Sequence, residues 1–251
     1  MSSKVTIILP KEISDTFTGI GEHLKNKNRF SLPRNMEKIV TTFCESYVEN
    51  KSVIDKGTNF WRARVHGVNQ EVCFKNTEMG APPSGIASAG RINPVGISYL
   101  YGAFAEKTAI SEIRPWKGAN VSVGKFSTSR DVNVVDLSKS PNSSKSPKLK
   151  PNESLEVVKE RRALNQIISS VLTKHYFSAP AHNNDDHAYL ASQYIAEKFK
   201  AYGIEALMYP SVLDDNGMNI CFFSTDIAAC ENVNIRSIKS VIYEYDEPKK
   251  S

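Results

Sequence analysis

The beginning of the chain has a helical pattern of apolar residues. Apolar side chains recur at spacings of three and four residues in one stretch: Met36, Ile39, Val40, Phe43 and Tyr47. This spacing brings them to one face of an α-helix, and Pro33 lies where that helix should begin. Gly57 then marks a break in the pattern. We therefore predict a mostly helical N-terminal segment, residues 1–56, whose role would be to pack against the remainder of the chain.

After this break the pattern changes to short alternating stretches separated by turn residues. These stretches predict seven strands, at residues 60–65, 98–101, 121–126, 132–137, 205–209, 219–223 and 237–245. Helices are predicted at residues 107–113, 154–177 and 189–202, and Gly203 is a suitable residue to end the last one. Because helices interrupt the strands irregularly, the order favours an α+β fold over a regular array of βαβ units.

Two segments have the composition of loops. Residues 79–96 are rich in glycine, proline and serine, and loops of this length inside a compact domain usually carry function or are disordered. Residues 138–151 are polar and contain proline, and we interpret them as a surface loop. A basic run in this region is interpreted as solvated: Lys139, Lys145, Lys148 and Lys150. The chain therefore divides into two parts, residues 1–56 and residues 57–251.

Composition excludes several classes of function. The formal net charge is +5, but the lysines and arginines are scattered, so no specific nucleic acid is expected as a partner. The four cysteines lack the spacing of metal ligands, which indicates reduced thiols in a cytoplasmic protein without a metal site. No apolar stretch is long enough for a signal peptide or a membrane span. The glycines of residues 85–96 lack the G-x-G-x-x-G spacing of dehydrogenases.

Three short segments have unusual chemistry, and each also has an ordinary interpretation. In residues 60–65, Arg62 and Arg64 would lie on one side of a strand, which could simply be a solvated face. Glu112 lies on an otherwise apolar helical turn, so its carboxylate is expected to be buried, and a structural salt bridge would explain it. Residues 208–211 run from a strand into a Pro-Ser turn, which could be only a turn.

Taken together, these segments resemble the RES domain family, named after its arginine, glutamate and serine. Six short motifs in the same order carry the resemblance: residues 60–62 (FWR), 89–96 (AGRINPVG), 100–101 (LY), 108–112 (TAISE), 209–211 (YPS) and 217–220 (GMNI). The resemblance extends from about residue 60 to about residue 245 and leaves the N-terminal helical segment outside it. It implies a mixed-sheet core similar to that of ADP-ribosyltransferase toxins, and toxin activity that depletes NAD+.

The resemblance also implies the site. The family's catalytic residues fall on Arg62, Tyr101, Glu112 and Ser211, with Arg62, Tyr101 and Ser211 also binding NAD+. Two further NAD+-binding candidates match a Gly-Arg-x-Asn loop: Arg91 and Asn93. Ile92 departs from the family, because many members have an aromatic residue there. The family also includes toxin–antitoxin systems, so an antitoxin or immunity protein is a candidate partner.

These residue types suit cleavage of the nicotinamide–ribose bond. Nicotinamide is a cationic leaving group in NAD+, so what needs stabilisation is the oxocarbenium-like ribose, and the carboxylate of Glu112 is the candidate. Arg62 can hold the diphosphate with its planar fork, and Tyr101 offers a flat face for the nicotinamide ring together with a hydroxyl. Ser211 could orient the ribose or the amide by a hydrogen bond. NAD+ would thus be a substrate rather than a cofactor.

Three functions stay open from the sequence. The first is an NAD+ glycohydrolase or NAD+ phosphorylase, with water or inorganic phosphate as the acceptor. The second is an ADP-ribosyltransferase that modifies a protein or nucleic acid; Ile110, two residues before Glu112, argues against transfer to arginine side chains. The third is an inactive binding module, against which the presence of all four family residues argues.

Overall fold

The computed structural model describes residues 11–67, 70–141, 154–178 and 187–242. Within them, the helices are α1 (Lys11–Asn26), α2 (Arg34–Val48), α3 (Glu106–Glu112), α4 (Leu155–Leu172) and α5 (Leu190–Ala201). The strands are β1 (Ser52–Ile54), β2 (Asn59–Val65), β3 (Leu100–Ala103), β4 (Asn120–Thr128), β5 (Val132–Asp136), β6 (Ala206–Pro210), β7 (Met218–Phe222) and β8 (Ala228–Ser237). A 3-10 turn covers Asn76–Glu78, and a π-helical turn, Thr173–Phe177, continues α4.

All eight described strands belong to one mixed sheet. Their order is β1-β5-β6-β7-β3-β2-β4-β8, in which β5 and β6 are parallel and the other neighbours are antiparallel. Along the chain, α1 and α2 precede the strands, and the other helices interrupt the strands at irregular intervals. The α+β class predicted from the sequence is therefore confirmed.

The central strands are buried on both faces, and their register shows how. Val135, Leu207, Cys221 and Tyr101 form one row across four strands, and this row packs against the helices in the largest core cluster. The adjacent residues of the same strands form a second row in a separate core cluster: Val134, Ala206, Phe222 and Leu100. Because side chains alternate along a strand, the two rows belong to opposite faces of the sheet.

The N-terminal segment contributes to this core. Ile20 of α1 and Phe43 of α2 are fully buried, and the ring centroids of Phe43 and Phe199 of α5 are 5.7 Å apart. The predicted face of α2 is confirmed, since Val40, Phe43 and Tyr47 are buried and Met36 and Ile39 pack against the same cluster. The segment also contains β1, which pairs with β5. The division of the chain at residue 56 stays a prediction.

Most predicted elements are confirmed with ends shifted by at most two residues; the helix predicted to end at residue 177 ends as α4 at Leu172 and continues as the π-helical turn. Residues 79–96 form neither helix nor strand. The strand predicted at residues 237–245 is wrong. The last strand is β8, which ends at Ser237, and residues 243–251 lie outside the described part. β8 is an edge strand and is mostly exposed; polar and apolar residues alternate only over residues 232–236, and a register shift beside Glu231 interrupts the pattern.

Two other predictions concern the loop at residues 138–151 and the absence of a membrane span. In the predicted surface loop 138–151, Lys139 pairs with Asp136 at 2.9 Å, whereas residues 142–151, with the other three lysines of the basic run, lie outside the described residues. Of the described helices, none is long and apolar enough to cross a membrane.

Candidate functional site

A small cavity lies where β2 and β3 separate. β2 pairs with β4 along its whole length, but its register with β3 consists of one pair, Trp61 and Ala103. The cavity has a volume of about 90 Å³, and its polar lining comes from five elements: Arg62 (β2), Tyr101 (β3), Glu112 (α3), Tyr209 (β6) and Asn219 (β7). The separation of two strands therefore brings together side chains that are far apart in the sequence.

Glu112 is the last residue of α3, and two neutral donors hold one of its oxygens. Its Oε1 accepts a hydrogen bond from Ser211 Oγ at 2.7 Å and another from Asn219 Nδ2 at 2.6 Å. Among the described residues, Oε2 has no hydrogen-bond partner and no cation pairs with the carboxylate. The expectation that Glu112 is buried is wrong, because the end of a short helix leaves the residue exposed.

Ser211 follows β6 and is held by the turn after it. Its Oγ accepts the backbone N–H groups of Leu213 and Asp214, both at 3.1 Å, and donates its own proton to Glu112. The backbone N–H of Ser211 donates to the carbonyl of Gly217 at 2.8 Å, which closes the β6–β7 hairpin. The hydroxyl is thus oriented towards the carboxylate. The predicted contact between Ser211 and the ribose or amide of NAD+ stays a prediction.

Asp214 fastens α3 to the same hairpin. Its carboxylate accepts hydrogen bonds from Lys107 Nζ at 2.8 Å and from Thr108 Oγ1 at 2.7 Å. These two bonds lower the pKa of Asp214, with Lys107 contributing most. Gly217 lies so close to α3 that a Cβ atom there would be 2.6 Å from Thr108 Cγ2. A glycine and a clamped carboxylate therefore set the distance between Glu112 and its two donors.

Arg62 lines the cavity and has no anionic partner among the described residues. Its Nη1 donates to the carbonyl of Tyr101 at 3.0 Å, and its buried Nε has no hydrogen-bond partner in the part of the chain that the structure describes. No carboxylate among the described residues forms a salt bridge with it. Burial lowers the pKa of Arg62, and the charge of Arg64 acts in the same direction. An arginine remains protonated near neutral pH, so this positive charge is available to an anionic ligand.

Tyr101 contributes its ring to the cavity and its hydroxyl to the neighbouring loop. The hydroxyl oxygen accepts the backbone N–H groups of Ile92 at 3.0 Å and Asn93 at 3.1 Å, and the hydroxyl donates to Asn93 Oδ1 at 2.8 Å. Burial raises the pKa of Tyr101 well above its usual value, so the hydroxyl keeps its proton. The hydroxyl therefore anchors residues 90–93 against the sheet.

Arg91 and Asn93 are not among the residues that line the cavity. Asn93 is buried, and its Nδ2 reaches the carbonyls of Ser88 and Ile97, each at 2.9 Å, inside its own loop. Arg91 Nη1 donates to the carbonyl of Tyr176 at 3.4 Å. Ile92 is fully buried in the largest core cluster, where an apolar side chain fits. That Arg91 and Asn93 bind NAD+ stays a prediction.

Two residues of the site were not assigned from the sequence. Tyr209 is buried in the lining, and burial raises its pKa well above the usual value. Asn219 is 4% exposed, and its buried Oδ1 has no hydrogen-bond partner among the residues that the structure describes. Both lie in short motifs that match the family, but a motif alone gave them no role. The signal for Asn219 was a polar residue at the start of an otherwise apolar strand.

Comparison with known families agrees with this geometry. A family model described as the RES domain matches residues 59–245, about three quarters of the chain. In a comparison with curated proteins, none matches this chain. The RES domain has a fold similar to that of ADP-ribosyltransferases, and its function is broadly NAD-related and toxin-like. Because the match covers far more than half of the sequence and includes every residue of the cavity, the chain belongs to the RES domain family.

Proposed function

We propose that this protein cleaves the nicotinamide–ribose bond of NAD+ and releases nicotinamide, with water or inorganic phosphate as the acceptor. The observation that supports the proposal is the hydrogen bonding of the Glu112 carboxylate. One of its oxygens is fixed by Ser211 and Asn219, while the other has no partner among the described residues. A carboxylate fixed in this way, on the same cavity as a half-buried arginine, suits a substrate that develops positive charge next to phosphates.

The two partners of Glu112, Ser211 and Asn219, are neutral and so do not compensate a negative charge on its carboxylate. A lysine or arginine in their place would compensate the carboxylate and weaken its effect on a developing cation. Nicotinamide leaves NAD+ as a neutral ring, so the bonding electrons move to its nitrogen and the ribose carbon becomes positive. Glu112 Oε2 would stabilise that carbon, and no general acid is required.

Arg62 and Tyr101 would bind the substrate around this centre. A guanidinium can hold two phosphate oxygens at once, and no carboxylate of the described residues forms a salt bridge with Arg62. Tyr101 also lines the cavity, and its ring would offer a flat surface for nicotinamide. The cavity, about 90 Å³, is much smaller than the ~300 Å³ at the lower end of ligand pockets. It would therefore receive one end of the dinucleotide, with the remainder outside.

The biological setting is part of the proposal. A toxin-type enzyme of this kind would deplete NAD+ in the cytoplasm, with NAD+ as its substrate and no resident cofactor. An antitoxin or immunity protein would be its natural partner, since unrestrained depletion stops growth. Expression of the wild-type chain should therefore lower cellular NAD+ and arrest growth. Normal NAD+ levels during strong expression would count against this setting.

The acceptor is tested with purified protein. The chain is incubated with NAD+ labelled in the adenosine part, in buffer with or without inorganic phosphate, and nicotinamide and the labelled product are separated by chromatography. Free ADP-ribose in both buffers indicates hydrolysis, and a phosphorylated ADP-ribose formed only with phosphate indicates phosphorolysis. Label retained on macromolecules would indicate a transferase instead. If no nicotinamide is released under either condition, the proposed function is wrong.

A further inference from the structure

The arrangement around Glu112 raises the question of what selects its rotamer. A glutamate at an exposed helix end has several staggered conformations of similar energy. Only a conformation that presents one oxygen to the cavity is useful for the chemistry proposed above. Two donors converge on the other oxygen, one from the turn after β6 and one from β7. A single hydrogen bond would fix one point of the carboxylate, whereas two from different directions restrict its rotation as well.

Asn219 is the donor that the sheet itself holds in place. It lies within β7 and is opposite Ala103 of β3 and Tyr209 of β6, so its backbone is paired on both sides. It is 4% exposed, which leaves its side chain little freedom. Ser211, in contrast, depends on a turn for its orientation.

The chemistry of the contact fixes the orientation of the Asn219 amide. An ionised carboxylate only accepts hydrogen bonds, so the atom of Asn219 that lies 2.6 Å from Glu112 Oε1 must be the N–H₂ group. The amide oxygen is then directed away from Glu112, and it is buried with no hydrogen-bond partner in the described segments. Leaving a buried polar atom unsatisfied is unfavourable, and natural structures retain few such atoms. A residue that served only to fill space here would be better as an apolar side chain.

We infer that Asn219 is a positioning residue for Glu112: it holds Oε1 so that Oε2 faces the bound substrate. This inference rests on the proposed function. Asn219 acts through Glu112 and makes no contribution of its own to bond cleavage. Its loss should therefore reduce kcat much more than it changes KM, and it should have no effect once Glu112 itself is absent.

Two substitutions separate positioning from packing. Asn219→Leu keeps the number and branching of the side-chain heavy atoms and removes the donor, whereas Asn219→Ala removes both the branched group and the donor. If Asn219 positions Glu112, both variants lose about 10-fold to 100-fold in kcat for nicotinamide release, with KM within about threefold of wild type. Asn234→Leu, an exposed asparagine on β8, is the matched control and should keep wild-type kinetics. If Asn219→Leu keeps wild-type kcat while Asn219→Ala loses it, packing is the role and the inference is wrong.

A double-mutant cycle provides the second measurement. Asn219→Leu is combined with Glu112→Ala, and nicotinamide release is followed with high enzyme concentration and long incubation. Residues that act as one unit are non-additive, so the double variant should be within about threefold of Glu112→Ala alone. A further loss of tenfold or more in the Glu112→Ala background would overturn the inference. An inactive wild type would instead contradict the proposed function, which keeps the two failures distinct.

Discussion

The hydroxyl of Tyr101 provides a prediction that separates an anchoring role from ligand binding. The substitution Tyr101→Phe keeps the ring that lines the cavity and removes one oxygen. That oxygen accepts two backbone N–H groups, from Ile92 and Asn93, and the hydroxyl donates to Asn93 Oδ1. Ile92 is fully buried and Asn93 is 3% exposed, so water does not readily replace the lost partner.

The expected destabilisation comes from these three groups. Each buried group left without a partner costs about 1–3 kcal/mol, and partial relaxation of the loop recovers some of that energy. We therefore expect Tyr101→Phe to lower the free energy of unfolding by about 2–4 kcal/mol. For a chain of this size, 1 kcal/mol corresponds to roughly 2–4 °C in Tm, so Tm should fall by roughly 5–15 °C.

Thermal and urea unfolding measure this change. Tyr202→Phe is the matched control, because the hydroxyl of Tyr202 makes one long contact of 3.5 Å with Glu45 on the surface. Its loss should change the free energy of unfolding by less than about 0.5 kcal/mol. Because burial raises the pKa of Tyr101 well above its usual value, the effect of Tyr101→Phe should be equal at about pH 6 and about pH 9. A Tyr101→Phe variant as stable as the Tyr202→Phe control would refute the anchoring role.

Three further predictions concern other parts of the site. Arg62→Lys should lower kcat/KM for NAD+ by at least about tenfold, because lysine lacks the planar fork of arginine. Arg64→Lys, outside the cavity, should change kcat/KM less than about threefold, and equal effects of the two substitutions would contradict the role of Arg62 in substrate binding. Gly90→Ala should destabilise the fold by about 1–3 kcal/mol in urea unfolding, since the new Cβ would lie 2.5 Å from Asn93 Oδ1. Gly80→Ala is the control, because a Cβ there meets nothing within 4 Å, and equal stability of the two variants would argue against this crowding. The pKa of Asp214 lies below its usual value of 3.8, so its bonds to Lys107 and Thr108 stabilise the fold above about pH 3.8 and are lost as the pH falls through the lowered pKa. Wild type should therefore be more stable than Asp214→Asn near neutral pH, and this difference should shrink on acidification. A difference that stays constant with pH would contradict the role of these bonds.

The fold was predictable where one segment carried its own signal. The face of α2 can be read from spacing alone, because an amphipathic helix repeats its apolar residues within a few turns. β8 was misplaced because it is an exposed edge strand whose alternation covers only residues 232–236 and is interrupted by a register shift beside Glu231. β1 was missed for a related reason: three residues are too few for a pattern, and only pairing with β5 makes them a strand.

The site shows the same division between local and long-range information. Glu112 and Ser211 were identified together from motifs, but they are 99 residues apart, and their hydrogen bond depends on the docking of α3 on the β6–β7 hairpin. The expected burial of Glu112 failed because apolar neighbours in sequence say little about the end of a helix. Asn219 was not assigned because its role exists only in relation to Glu112, 107 residues away.

The central claim is that the carboxylate of Glu112 drives the release of nicotinamide from NAD+. The most direct measurement compares the initial rate of nicotinamide release by wild type and by Glu112→Gln, which removes the charge with little change in size. Glu71→Gln, at an exposed position, is the control. Loss of an electrostatic stabiliser of about 3 kcal/mol predicts a rate lower by roughly 100-fold in Glu112→Gln and no change in Glu71→Gln. Equal rates in all three proteins would contradict the account.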